Sequence, residues 1–447
     1  MAASAGRGAF VLAHATLLAL VLVALACIAA FGRNIPLAED WNLVGPLTGT
    51  EPDLAAWLWS QNNEHRLPLP RLVLLGVTAA AGGDFRAGMV LNVLTLGGLA
   101  LAMLWAARRL RGGRQHLADV VLPLLLLHLG HWENLVWSWQ FQFVCSAALS
   151  GTVLVAVVLT APGARGPERA AAAAVVLLPL TGANGLVVAL PMVLWLALLG
   201  ATRLAAAEAW GAGRGGALLP LGAAAAALLL GGAYFSGWER PTWVEPAGTL
   251  RQVLRTLEFY LAYGFGPGGR WLRHPAAARA LLLLASGALL AARAAWRGPA
   301  AERPRALGIL AFLAGAGGLA LAIAWGRSGV RGQMPDRYAL FSVMGLLGAW
   351  YAWQLYGAAR QRRIVARLVA LAVLVMLPFN LRAGWEWRGW YDAGMGAVEA
   401  DLAAGVPRLE LAERHRVVLM HWNEAFLADA MGKLRDAGLG PFRALRD

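Results

Sequence analysis

The chain has 447 residues, of which 59% are hydrophobic and only 14% charged. Soluble domains carry about a quarter of their residues as charges, so this composition excludes an ordinary water-soluble fold and points to an integral, multi-pass membrane protein. A net charge of +14 would suggest nucleic acid in a soluble chain, but here Lys433 is the only lysine and the arginines collect between apolar runs, where positive charge sets membrane orientation. No nucleic-acid partner is therefore expected.

A basic lead at Arg7 precedes an apolar run over 10–31. A cleaved signal peptide is the competing reading, but the run is long for a signal core and an acidic segment follows it, so a first span starting in the cytoplasm is expected. Segments of about 20 apolar residues cross ~30 Å of hydrocarbon. Such spans are expected near 86–107, 117–129, 141–160, 217–235, 276–296, 306–325, 338–356 and 367–380. The segment 171–199 is basic on both flanks and is interrupted by Pro179, Thr181-Gly182-Ala183-Asn184-Gly185 and Pro191. Read as two short legs around a Gly-Asn turn, rather than one kinked span, it brings the total to about eleven crossings and puts the arginine-rich connections in the cytoplasm. Cys27 and Cys145 lie in or beside apolar runs and read as packing residues, not as a disulfide or metal pair.

The outward segments are then 32–85, 130–140, 236–275 and a tail over 381–447, distinct from the membrane region 1–380. Pro52-Asp53 opens a helix over 52–61 with Leu54, Trp57 and Leu58 on one stripe, as an interfacial helix on the headgroups would have. Residues 67–81 are short for a span and predict a second juxtamembrane helix. The tail, with Trp385, Trp387, Trp390 and the apolar run Val417-Val418-Leu419-Met420, predicts a small cap of helices and one or two strands.

Four polar groups fall on this outward side: Glu39 and Asp40; Asn63-Glu64-His65-Arg66; Trp132-Glu133-Asn134 with Gln140; and Arg331, Asp336, Arg337 and Tyr338 with Arg327. Ionisable groups at a membrane edge are costly unless paired or solvated and commonly mark a substrate path. Transfer of a sugar from a lipid phosphate needs such a set. Arginine's fork of donors suits the phosphate, a carboxylate serves as base for an acceptor hydroxyl, and Trp, Asn and Gln stack on or hydrogen-bond to sugars. Phosphate-binding Gly-Lys loops, paired Cys motifs and His-Glu-x-x-His helices are missing from the sequence.

This order of motifs resembles the GT-C superfamily of polytopic glycosyltransferases, and within it bacterial enzymes similar to protein O-mannosyltransferases and aminoarabinose transferases. The features that carry the resemblance are Glu39-Asp40 after the first helix, Asn63-Glu64-His65-Arg66-Leu67-Pro68-Leu69-Pro70, Gly82-Gly83-Asp84-Phe85-Arg86, and Glu133 in the next outward loop. It spans roughly residues 10–200. The resemblance implies an all-α membrane fold and an inverting transfer from a polyprenyl-phosphate sugar donor to a glycan, lipid or protein acceptor. The site would face outward from a bacterial inner membrane. Asp40 would be the base, Glu133 a second acid orienting acceptor or metal, and Arg66, His65 or Arg337 would lie near the lipid phosphate. The chain departs from the pattern at Arg66, where relatives commonly have Pro, and in the near absence of lysine. No metal ligand set is assigned. A divalent ion, magnesium or manganese, on Glu39, Asp40 and Glu133 stays an open alternative to neutralisation by arginine. The rival functional class is a transporter or flippase for a lipid-linked saccharide, for which the break at 181–185 is the best sequence support.

Overall fold

The computed structural model describes residues 2–161, 164–210, 215–242, 245, 247–330 and 334–446. Most of the described residues are helical, and the only strands among them are a two-residue pair. Helix α1 (Ala2–Phe31) shows how the membrane region is built: Ala13, Leu17, Ala24 and Ile28 turn inward, while Leu18 and Leu22 stay exposed. That is the pattern expected where the outer solvent is hydrocarbon, as apolar as the interior. Among the described residues, eight helices are long and apolar enough to cross a bilayer.

After α1 the chain enters the 3-10 turn Ala38–Leu43 and the short α2 (Val44–Leu47). Helix α3 (Leu54–Trp59) is capped as expected, the Asp53 carboxylate accepting from Ala56 N at 2.9 Å. Its Trp57 does not lie on the headgroups: it is buried, with the Arg71 guanidinium 5.0 Å from its ring, and it is Leu54 that stays exposed. Strands β1 (Gln61–Asn62) and β2 (His65–Arg66) form a hairpin, with Asn63 at φ 50°, a conformation asparagine tolerates well. Helix α4 (Pro68–Ala80), 13 residues long, starts on a proline at its first turn and fits the second juxtamembrane helix.

Helix α5 (Arg86–Leu110) leads to the arginine-rich face, where Arg111 binds Asp119 at 2.7 Å and Gln354 at 2.9 Å. The expected span at 117–129 is not a membrane-length helix. It holds a 3-10 turn and α6 (Val121–Leu127), whose seven residues are all buried, followed by α7 (Trp132–Val136). Asp119 ties its start to Arg111, and Glu133 ties its far end to Arg337. Helix breaks are tolerated here because protein, not lipid, surrounds the backbone.

Helix α8 (Phe141–Val158) returns, and α9 (Arg165–Leu177) and α10 (Ala183–Trp210) flank a break at Leu178–Gly182, with Gly182 at φ 104°. Arg203 pairs with Glu168, so the two legs fold back on each other. Helices α11 (Gly215–Phe235), α12 (Leu250–Ala262), α13 (Arg273–Arg297), α14 (Arg303–Arg327) and α15 (Ala339–Tyr356) follow.

Helix α16 (Ala359–Ala404) is continuous over 46 residues, straight through the expected boundary at 380–381. At 1.5 Å per residue it is roughly 69 Å long, about twice the hydrocarbon thickness. It stops where Gly405 takes a left-handed conformation at φ 75°. Helices α17 (Arg408–His415) and α18 (Glu424–Asp436) complete the tail, and the run Val417–Met420 is turn, not strand. This cap sits on the first loop: Ala38 N donates to Leu419 O at 2.8 Å, and Trp41 meets Phe442 edge-on at 5.8 Å.

Candidate functional site

Adjacent acids in the Ala38–Leu43 turn have opposite fates. Ala38 is held at φ 49°, and beyond it the 3-10 turn buries Asp40 while leaving Glu39 half-buried. Asp40 accepts from Trp139 N at 2.7 Å and from Leu37 N at 3.2 Å, one bond to each carboxylate oxygen. Burial pushes its carboxyl well above the ordinary range, against the pull of those two amides. Asp40 thus staples the first loop to the start of α8. The Glu39 Oε2 atom is buried without a hydrogen-bond partner among the described residues. Burial also raises the Glu39 carboxyl, opposed chiefly by the positive charge of Arg337.

Arg337 reaches in from the turn before α15. Its guanidinium pairs with Glu133, its backbone N donates to Glu133 Oε2 at 3.0 Å, and its carbonyl accepts from Asn134 Nδ2 at 3.1 Å. The short α7 therefore holds this arginine by side chain and backbone together. Tyr338 is buried beside Phe143, and its hydroxyl accepts from Arg327 Nε at 2.8 Å. Arg327 also stands 3.7 Å from Glu64, a loose pair whose side chains are about one-third exposed, 33% and 31%. His65 adjoins both; burial lowers its basicity, the Glu64 carboxylate raises it and Arg327 lowers it. Trp132 is buried edge-on to Trp387, and Gln140 is fully buried, with no partner for its amide among the described residues.

The structure therefore brings Glu39, Glu64, His65, Glu133, Asn134, Arg337 and Tyr338 into one neighbourhood, with Arg327 alongside. Arg66 is placed differently. Its guanidinium donates to the carbonyls of Trp59 at 2.6 Å, Tyr234 at 2.9 Å and Ser236 at 2.8 Å, locking the hairpin to the end of α11. Asn63 is exposed at the hairpin tip. Arg331 lies outside the described residues.

Two residues escaped the sequence reading. Arg270, in the 3-10 turn Pro267–Arg270, binds Asp336 at 3.2 Å and Glu386 at 3.0 Å. Tyr263 donates to Asp336 Oδ1 at 3.0 Å. Burial pushes the Asp336 carboxyl up to about 6, with Arg270 pulling the other way. The string Gly266-Pro267-Gly268-Gly269-Arg270 announces a tight turn, but nothing local names a partner that far along the chain. Directly beyond this turn, Phe265, Leu272, Leu283, Leu368, Val369 and Met376 line an apolar groove of about 530 Å³ between α13 and α16.

Of the three acids Glu39, Asp40 and Glu133, Asp40 is bound to backbone amides and Glu133 to Arg337. Among the described residues no group of three His, Cys, Asp or Glu side chains converges as a metal site. Comparison with protein families, with curated proteins and with solved structures gave no match, so the geometry alone carries the functional argument.

Proposed function

We propose that this chain is an inverting membrane glycosyltransferase that moves a sugar from a polyprenyl-phosphate donor to an acceptor hydroxyl on the extracytoplasmic side of a bacterial inner membrane. The observation that carries the reading is the cluster of Glu39 Oε2, which has no hydrogen-bond partner among the described residues, an Arg337–Glu133 pair and a loosely held Arg327; an apolar groove lies between α13 and α16 on the far side of Tyr263 and Asp336. The groove ends at Phe265, two residues from Tyr263, whose hydroxyl bonds Asp336 next to Arg337. Such a groove accepts a polyprenyl chain from the bilayer side while its phosphate stays at the polar end. Three further passages between the faces, 117–133, 165–181 and α15, support eleven crossings when added to the eight long apolar helices.

In this mechanism the base is Glu39, the neighbour of the Asp40 expected from sequence: Glu39 Oε2 has no hydrogen-bond partner among the described residues, whereas each Asp40 oxygen holds one backbone amide. Glu39 takes the proton of the acceptor hydroxyl as its oxygen attacks the anomeric carbon. The bond from that carbon to the phosphate oxygen breaks on the opposite face, and one displacement inverts the centre. The departing phosphate gains negative charge, which Arg327, held by the Tyr338 hydroxyl and only loosely by Glu64, meets; Arg337, committed to Glu133, tunes Glu39. Purified chain in liposomes containing a polyprenyl-phosphate hexose and a hydroxyl acceptor releases polyprenyl phosphate. Glu39→Gln reduces that release about 10²- to 10⁴-fold, the usual worth of a general base, without changing thermal stability. Release at the wild-type rate from the Glu39→Gln protein removes this mechanism.

The groove equally suits a flippase for a lipid-linked saccharide, which is the second reading. The break at Leu178–Gly182 lies against Leu67 and His65 of the first loop, at the membrane edge, where a midplane transport site would not be. A flippase moves labelled donor between leaflets without releasing polyprenyl phosphate, so the same liposomes separate the two.

A further inference from the structure

A second basic site stands apart from the first. On the face opposite the arginine-rich connections, where the positive-inside rule leaves loops poor in arginine, residues 236–279 hold Arg240, Arg251, Arg255, Arg270, Arg273 and Arg279 against Glu239, Glu245 and Glu258. Three of these arginines surround a cleft of about 740 Å³ on α12, lined by Arg251, Gln252, Leu254, Arg255, Glu258 and Arg273. Arg273 and Arg255 both lie over the Phe259 ring, at 4.6 and 5.9 Å, which fixes their stems. The one acid of the cleft is already used: Glu258 pairs with Arg273 at 3.0 Å and with His274. Arg251 and Arg255 face no carboxylate within ion-pair distance among the described residues. Beside them Leu250 and Leu254 stand 73% and 56% exposed, on a helix whose lead-in is tied to the end of α14, Gly248 N donating to Ser328 Oγ at 2.9 Å.

We infer that this cleft binds the headgroup of an anionic phospholipid, with Arg251 and Arg255 on its phosphodiester and its acyl chains against Leu250 and Leu254. A phosphodiester keeps its single negative charge at every physiological pH, and forked guanidinium donors match its oxygens. The exposed leucines argue for a lipid over a free anion, since bare phosphate gives them nothing to cover. This site rests on charge and exposure at α12 and stands or falls independently of glycosyl transfer.

The test is lipid retention by the full-length protein, delipidated in detergent and offered an equimolar mixture of dioleoylphosphatidylglycerol and dioleoylphosphatidylcholine, with bound lipid counted by native mass spectrometry. Wild type retains the glycerol lipid preferentially, and Arg251→Gln with Arg255→Gln lowers that preference by about fivefold per arginine. Leu250→Ser with Leu254→Ser lowers total retention, and millimolar inorganic phosphate displaces little. Equal preference in wild type and the double arginine variant overturns the site. So does full displacement by phosphate with no effect of the leucine substitutions, which would mark a plain anion site.

Discussion

Glu39 and Asp40 are neighbours in sequence, yet Asp40 is a hydrogen-bonded staple while Glu39 Oε2 has no hydrogen-bond partner among the described residues. The deciding factor is a backbone angle, Ala38 at φ 49°, which no residue pattern announces. The two acids therefore respond differently to the same change. Asp40→Asn swaps an acceptor oxygen for an N–H₂ that faces a backbone N–H, costing about 1–3 kcal/mol of stability, measurable as a lower thermal midpoint; Glu39→Gln costs activity instead. The acid limb of the pH–rate profile reports Glu39, and burial sets it above the ordinary carboxylate range. Arg337 pulls that limb down and Glu133 pushes it up, so Arg337→Gln moves it to higher pH; an unmoved limb means that Glu39 is not the titrating base. Arg327→Gln raises KM for the lipid donor about tenfold and leaves KM for the acceptor alone, as loss of one charge-assisted phosphate contact requires. Asp336 gives a stability signature. Its carboxyl is lifted from 3.8 to about 6 on folding, so the folded state binds the proton more tightly than the unfolded one, and stability falls as pH rises through that window. Asp336→Asn flattens the dependence of the thermal midpoint on pH between about 4 and 6.

Among the elements, α16 packs with its backbone directly against the turn at Leu129–His131. A Cβ at Gly384 would run into the carbonyl oxygen of Leu129, and one at Gly130 into the carbonyl of Asn380, so helix and turn meet backbone to backbone. Gly384→Ala consequently lowers stability by about 1–3 kcal/mol, read as a drop in thermal midpoint. Four residues earlier, Asn380 donates to Phe265 O and accepts from Gly268 N, both at 2.8 Å, clamping the turn that presents Arg270. Helix lengths and turns were legible from apolar runs and Gly/Pro breaks: α1, α5, α13 and the break before α10 lie where periodicity and punctuation put them. The buried passage at 117–133 was not, because hydropathy measures distance from water and cannot separate lipid from protein as the apolar surroundings. The extent of α16 was hidden for another reason. Composition turns polar after Asn380, but nothing stops the helix until Gly405, and polarity alone does not break one.

Across the whole molecule, the first loop, α7, the turn before α15 and the C-terminal cap share one face, and the arginine connections hold the other. Convergence of distant polar stretches was legible in outline from orientation rules applied span by span. The exact pairs, Glu133 with Arg337 and Arg270 with Asp336, depend on packing that sequence spacing does not encode. Single cysteines at Ala55 and Glu413, exposed positions on the loop and the cap, react with a membrane-impermeant maleimide from the extracytoplasmic side of intact cells, whereas one at Arg114 reacts only after permeabilisation. Opposite labelling of Ala55 and Glu413 contradicts the docking of cap on loop. Helix α16, which forms one wall of the groove, runs on through Pro378 to the cap, and the cap is bonded to the turn that holds Glu39. On the proposed reading, an acceptor that settles on the cap touches the same helix that walls the lipid groove and the same turn that carries the carboxylate.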